Sequence, residues 1–297
     1  VSGEKTFSLD VLGNVDLLIN GKSIYKNDNS DRLYSEHKVV TYNFEKGNSY
    51  EITLNFSHNS NRTSSLKFEF GYYIPFDLKA LLTKLKNVDT VIFVGGISNK
   101  IEGESRDRRD IELPDIQRHC LQALKSAGKK VILVNCSGSA VALYPETESC
   151  DAILQAWYGG EKAGIAVADV LFGDYNPSGK LPITFYKNTS QIPDYENYSM
   201  KGRTYRYLKD APLFPFGYGL SYTTFEVGTA KADRTEINVG ESMNLTIPIV
   251  NTGKCNGSEV IQVYMHKIGD SEGPIKTLRA FKRVDVEMGK RVDISIR

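Results

Sequence analysis

The chain has 297 residues, enough for about two domains, and its 40% hydrophobic content supports ordinary packed cores. Thirty-seven Lys and Arg against thirty-six Asp and Glu leave a net charge of +1, which excludes the electrostatic footprint of a nucleic-acid or anionic-membrane partner and favours neutral ones. No apolar run is long enough for a membrane span, and the N-terminus VSGEKTFSLD has neither the basic nor the apolar region of a signal peptide.

Residues 1–73 alternate apolar and polar side chains between turn residues, in FSLDVLG, VDLLING, KVVTYNF, SYEITLNF and LKFEFGYY. The period of two predicts antiparallel β-structure. The first strand starts with no lead-in and the segment is short for a free-standing sandwich, so part of a domain is expected.

From Pro75 the period changes. Leu78, Leu81, Leu82 and Leu85 share one face of a predicted helix that Asp77 is placed to cap. The strand TVIFVGG, the helix DIQRHCLQALKSAG, the strands KKVILVNCSG and DAILQAWYGG and the helix KAGIAVADVLFG then follow. Apolar strands alternating with amphipathic helices predict a parallel sheet covered on both faces, an α/β domain over 74–185.

Residues 186–222 belong to a stretch rich in turns and aromatic rings, expected to wrap over a surface and pin itself by burying Tyr and Phe. After it, ESMNLTIPIVN, SEVIQVYMHK, TLRAFKRVDVEM and RVDISIR return to strand alternation, which predicts a small β-sandwich over 223–297. It stops in mid-strand, so closing strands are expected to be absent. The fold class expected is therefore an α/β parallel-sheet domain flanked by two β domains, both read as truncated.

Cys120, Cys136, Cys150 and Cys255 show no CxxC or Cys/His ligand spacing, so neither a metal nor another cofactor is expected. Cys120 and Cys136 lie in apolar stretches and read as buried free thiols. His37, His58, His119 and His266 have no partner spacing that points to catalysis and are assigned structural roles. The sequons at Asn55, Asn61, Asn135, Asn188, Asn197, Asn244 and Asn256 matter only in a eukaryotic secretory pathway.

Parallel α/β sheets bind ligands outside the carboxyl ends of their strands. Three loops converge there: IEGESRDRRDIELP after TVIFVGG, SGSAVALYPE after the next strand, and YGGEKAG after the third. The first holds eight charges in fourteen residues; by composition alone it reads as solvated surface, and its position is what makes it a site candidate. Neither G-x-G-x-x-G nor G-x-x-x-x-G-K-[ST] occurs where a strand meets a helix, which argues against a phosphate-cradling loop.

GDYNPSGKLPITF, GRTYRY followed by PLFPFGYGLSYTTF, and EGES followed by DR and ELPDIQ resemble the C-terminal half of glycoside hydrolase family 3, the β-glucosidases and β-xylosidases. The resemblance covers about residues 75–297. Residues 1–73 are similar to the second half of the PA14-like β-domain that some members insert, and 223–297 to a fibronectin type III-like domain.

The resemblance implies a retaining exo-acting glycosidase acting on a β-linked oligosaccharide, with xylosides favoured over glucosides, and a secreted or periplasmic location. Retention needs two carboxyl groups about 5–5.5 Å apart. In the family the nucleophile is an aspartate on an N-terminal (β/α)8 barrel. No such domain is in this sequence, so the chain alone is expected to be inactive. The acid/base is a glutamate on a loop of the α/β domain. The match of GES places it at Glu104, with Glu102 as the alternative.

Arg106, Arg108 and Arg109 nearby oppose the protonated form that a general acid needs. Arg108 is expected to hold the loop in shape through Asp107 or Asp110. Trp157 is a candidate for stacking on a pyranose or for the core. Arg203, Tyr205 and Tyr207 are candidates for sugar contact or for stapling the wrapping segment. The reading from another class is a non-catalytic carbohydrate-binding or scaffold protein.

Overall fold

In the computed structural model, which describes residues 2–27, 35–57, 64–72, 76–98, 101–104 and 107–297, the chain falls into two compact units, 1–77 and 78–297. His58, Asn61, Pro75 and Arg106, named above, lie outside the described residues.

The first unit is antiparallel, as the period of two requires. Its strands are β1 (Gly3–Leu12), β2 (Asn14–Ile19), β3 (Lys22–Asn27), β4 (Glu36–Phe44), β5 (Ile52–Ser57) and β6 (Ser65–Gly71). They form two three-stranded sheets, β4-β1-β6 and β3-β2-β5. Phe7, Leu9 and Val11 of β1 and Val15, Leu17 and Ile19 of β2 supply most of one buried cluster. Alternate residues of a pleated strand point to opposite faces, so each strand feeds the core with every second side chain. Alternation does not mark β3, because KSIYKN offers too few apolar positions for a period of two to register.

The second unit opens with α1 (Leu78–Lys84), β7 (Thr90–Gly96), α2 (Asp115–Ser126), β8 (Lys130–Cys136), α3 (Tyr144–Ser149), β9 (Ala152–Gln155) and α4 (Ala163–Phe172). β7, β8 and β9 form a parallel sheet in that order, with Val91 opposite Val131 and Leu133 opposite Ile153. Leu121 and Leu124 of α2 and the four leucines of α1 and its end pack with Val131, Leu133, Val91 and Phe93. This is the α/β domain expected, with one correction. The other face of β7 is open in this chain, leaving Ile92 41% and Val94 69% exposed. The helical stripes of α1 and α2 serve the same face, and α4 leaves Ile165 and Phe172 in solvent.

The wrapping segment zips onto the end of the α/β domain. Leu181 N donates to Tyr218 O at 2.8 Å and Gly217 N to Leu181 O at 2.7 Å, so NPSGKLP and FGYG pair backbone to backbone. Phe185 pairs with Phe214 in the same way. Further along lie α5 (Thr204–Tyr207) and the strands β10 (Phe225–Val227), β11 (Lys231–Ala232), β12 (Leu245–Asn251), β13 (Gly257–Met265), β14 (Thr277–Val286) and β15 (Arg291–Ile296). β12 is flanked by β10, β11 and β15, and β13 pairs with β14. Ile247, Ile249, Ile261, Val286, Ile294 and Ile296 form the core between these two sheets.

Candidate active site

The carboxyl ends of β7 and β8 are held at close quarters by Gly96. It has φ +126°, and a Cβ there would lie 1.9 Å from Cys136 O. Only glycine takes that backbone without cost. Gln117, on α2, grips the same residue, accepting Gly96 N at 2.8 Å and donating to Gly96 O at 2.7 Å. Below the next loop, Asn135 and Gln155 both donate to Ser137 Oγ, at 3.2 and 3.0 Å, and Ser137 Oγ donates to Ser139 O at 2.8 Å. A polar network therefore shapes the turn 137–139 from beneath.

That turn receives the charged loop. Glu102 Oε1 accepts Gly138 N at 2.6 Å, and Glu102 Oε2 accepts the Ser139 hydroxyl. Arg108 Nη2 donates to Ser139 Oγ at 3.0 Å and to Ala140 O at 3.1 Å. Tyr158 Oη donates to Ile97 O at 2.7 Å beside the same group. Gly138 is wedged between them, since a Cβ there would meet Tyr158 Cε2 at 3.0 Å and Glu102 Oε1 at 3.1 Å.

Burial raises the Glu102 pKa, but the hydrogen bonds from Ser139 and Gly138, the Tyr158 hydroxyl and the Arg108 charge outweigh it, so the carboxyl sits below the ordinary glutamate value. Burial first, and Glu102 second, push the Tyr158 phenol up to about 12. Glu102 is thus an ionised strut between loops.

Glu104 is the opposite case. It is exposed, lies in the turn at 101–104 and has no hydrogen-bond or ion-pair partner among the described residues. A single residue, Gly103, separates a carboxylate committed to the protein from an exposed one.

Asp107 and Asp110 are engaged as well. Asp107 Oδ2 accepts Tyr195 Oη at 2.8 Å, and Asp110 Oδ1 accepts Glu112 N at 3.0 Å. Arg108 does hold the loop, but through Ser139 and Ala140 rather than Asp107 or Asp110, because the two aspartates are engaged elsewhere. Beyond it, Arg118 joins Glu112 at 2.7 Å and Glu146 at 2.8 Å, and Glu112 Oε1 accepts Thr189 N at 3.1 Å from the wrapping segment. Glu112 and Gln117 give the ELPDIQ run a physical purpose, one gripping α2 and the wrapping segment, the other the end of β7.

Trp157 is half-buried, with φ +58° and its ring edge-on to Phe185 at 6.0 Å. Tyr205 stacks on Phe216 at 4.3 Å and its hydroxyl accepts Leu278 N at 3.3 Å. Tyr207 is half-buried, with the Arg206 guanidinium 5.9 Å from its ring centre. Arg203 donates to the carbonyls of Asp194, Asn197 and Ser199, at 3.2, 2.6 and 3.2 Å. Sequence reasoning passed over Gly138, Ser139, Tyr158 and Tyr195. Gly138 and Ser139 stand in a loop already marked by its position, but nothing local singles out either of them. Asn135, the first residue of one sequon, is buried in β8 and bonded to Gln155 at 2.7 Å, which leaves no room for a glycan in the folded chain.

All four cysteines are free. Burial raises the Cys120 thiol and pushes Cys150 up to about 11, which leaves neither a ready nucleophile. Among the described residues no group of three His, Cys, Asp or Glu is placed to hold a metal, and no helix is long and apolar enough to cross a membrane.

Residues 76–222 match the glycosyl hydrolase family 3 C-terminal domain. The chain is similar to a xylan 1,4-beta-xylosidase of Xylanibacter ruminicola, 49% identical over 306 residues that take in 100% of this chain and 35% of that protein. It is 40% identical over 223 residues to a periplasmic beta-glucosidase of Salmonella typhimurium, covering 71% of this chain and 29% of that one. Among solved structures, a beta-glucosidase from Kluyveromyces marxianus in complex with glucose has a TM-score of 0.77 at 29% identity, over 99% of this chain and 37% of that one. The chain spans about a third of the length of the curated relatives it matches.

Proposed function

We propose, from the premise that residues 76–222 are a glycosyl hydrolase family 3 C-terminal domain, that this chain supplies the general acid/base of a retaining exo-acting β-glycosidase, and that Glu104 is that group. The nucleophile is assigned to a (β/α)8 barrel outside these 297 residues. The observation that carries the choice is the contrast within IEGES. Glu102 is held ionised by Gly138 and Ser139, whereas Glu104 is exposed and unengaged among the described residues. A general acid has to give up its proton to a departing oxygen and take one back from water, which a carboxylate saturated by protein donors does poorly.

Terminal β-linked xylose is the favoured substrate, supported by 49% identity to a xylosidase; glucose is the competitor, named for other relatives. A secreted or periplasmic location is in keeping with the periplasmic relative. Residues 1–73 are assigned to a PA14-like domain and 223–297 to a fibronectin type III-like one. Tyr205 and Arg203 serve in this reading to staple the wrapping segment, and Trp157 packs against Phe185.

The test uses an enzyme in which this chain replaces the matching part of the Xylanibacter ruminicola relative. Glu104→Ala is expected to slow xylosides with poor leaving groups by about 10² to 10⁴-fold. Activated aryl xylosides should suffer less in the first step, and azide, which needs no deprotonation, should restore turnover. Glu102→Ala should show no azide rescue. Rescue in Glu102→Ala and not in Glu104→Ala would overturn the assignment.

A further inference from the structure

The turn at 194–199 combines a clamped backbone with exposed rings. Asn197 N donates to Asp194 O at 3.0 Å, and Glu196 N and Ser199 N are capped by the Asp194 and Asn197 side chains at 3.3 and 2.9 Å. From behind, the Arg203 guanidinium holds the carbonyls of Asp194, Asn197 and Ser199. Yet Tyr195 is 71% exposed and Tyr198 89%. Exposed rings alone need no explanation; what sets these two apart is that they stand on a turn held by its own backbone and by Arg203.

Tyr195 ties this turn to the acid/base loop. Its hydroxyl donates to Asp107 Oδ2 at 2.8 Å across 88 residues of sequence. Asp107 is three residues past Glu104, so their Cα atoms are at most about 11 Å apart. Glu102, anchored to Gly138, fixes the loop on the other side of Glu104. The candidate acid is thereby bracketed between a strut and an aromatic turn.

We propose that Tyr195 and Tyr198 form a stacking platform for the sugar on the leaving-group side of the scissile bond, in a β-linked xylo- or gluco-oligosaccharide; this rests on reading Glu104 as the acid/base. The general acid protonates the oxygen of the leaving group, so a platform fastened to the acid's own loop lies on that side of the bond. A pyranose presents an apolar CH face with a rim of hydroxyls, and here Asp107 meets the Tyr195 hydroxyl while Asp194, Glu196 and Asn197 are neighbours of the two tyrosines in the same turn. The core of a protein interface is depleted in such charges. Because Arg203 and the capped amides have already ordered the turn, little entropy is lost when it engages a sugar.

Xylotriose titrated into this chain, followed by saturation-transfer NMR and the tyrosine ring resonances, tests the platform. Tyr195→Ala and Tyr198→Ala are each expected to weaken binding about fivefold, the range of a lost aromatic contact. Tyr195→Phe, which keeps the ring but not the bond to Asp107, should weaken it less. Tyr144→Ala, which removes a half-exposed ring on α3, should leave it unchanged. Absence of transfer, or transfer undiminished in both alanine variants, would overturn the proposal. So would protection of both rings from iodination by a polypeptide carrying the remainder of a relative, with no xylotriose signal, since that makes the turn a protein interface. Binding by this chain needs no turnover, so failure here is distinct from failure of the azide test on Glu104.

Discussion

Glu102 accepts the Gly138 amide at 2.6 Å across 36 residues of sequence, while Glu104, in the same turn, is exposed. Replacing Glu102 by Ala removes the acceptor of both Gly138 N and the Ser139 hydroxyl. Charge-assisted bonds of this kind contribute about 1.5–3 kcal/mol each when neither partner can find water; on this half-exposed loop the expected loss is at the low end. Faster hydrogen exchange at Gly138 and Ser139, with α2 and β8 unaffected, is the expected signature.

The same strut is predicted to respond to acid with a definite sign. The folded-state pKa of Glu102 is depressed, so its stabilising effect is present above the unfolded value, about 4.3, and is lost as pH falls through the folded value. The Gly138 amide resonance should hold steady from pH 7 to 5 and move only below the ordinary glutamate value. A shift centred near pH 6 would contradict the assignment of Glu102 as an ionised strut.

Two glycines at the same sheet edge should differ sharply. In Gly96→Ala the new Cβ would have to occupy space 1.9 Å from Cys136 O at φ +126°, so a loss of about 3 kcal/mol or more, or failure to fold, is expected. In Gly138→Ala the Cβ meets a tyrosine ring at 3.0 Å and a carboxylate at 3.1 Å, and both are side chains able to yield by a few tenths of an ångström. About 1 kcal/mol is expected there. Urea denaturation of the two variants checks the order.

Arg118 bonds Glu146, which is 1% exposed, and Glu112. Burial raises the Glu146 pKa against the pull of Arg118, so its ionised form is tolerated largely because the guanidinium is there. Arg118→Met should cost about 3–5 kcal/mol at pH 7, the usual penalty for stranding a buried charge. A carboxyl with a raised folded pKa destabilises as pH rises above its unfolded value, so part of the loss should be regained at pH 5. Equal losses at both pH values, measured by urea denaturation, would refute this.

The 297-residue chain by itself is expected to hydrolyse neither p-nitrophenyl β-xyloside nor the β-glucoside above background. Retaining catalysis divides one hard step between two carboxyl groups, and only the acid/base is assigned to this chain. Robust turnover by the purified chain, with contaminating hydrolase excluded, would show that the division of labour is misread.

The elements were legible wherever a period was. Strict alternation in FSLDVLG and VDLLING marked β1 and β2, and the leucine spacing 78-81-82-85 marked α1, because burial on one face imposes a repeat that composition cannot hide. β3, β10 and β11 escaped, being too short or too polar to repeat anything. The expectation of a sheet covered on both faces failed at Ile92 and Val94, since strand apolarity records what a face requires and not what this chain supplies.

What the sequence determined by itself was the succession of β, α/β and β textures and the position of a charged loop at the carboxyl end of β7. What only the tertiary structure decided was which glutamate of that loop is bonded to the protein and which is exposed. Glu102 and Glu104 are the same residue type in the same turn, and no local preference separates them. Their difference comes from partners 36 residues away for Glu102 and from the lack of any for Glu104 among the described residues. Likewise Arg108 could be assigned to shaping the loop from its charge, but its partners Ser139 and Ala140 lie more than thirty residues on. Tyr195 reaches Asp107 across 88. Hydrogen bonds act over about 3 Å of space and are indifferent to separation along the chain, so such pairings become visible only once the chain has folded.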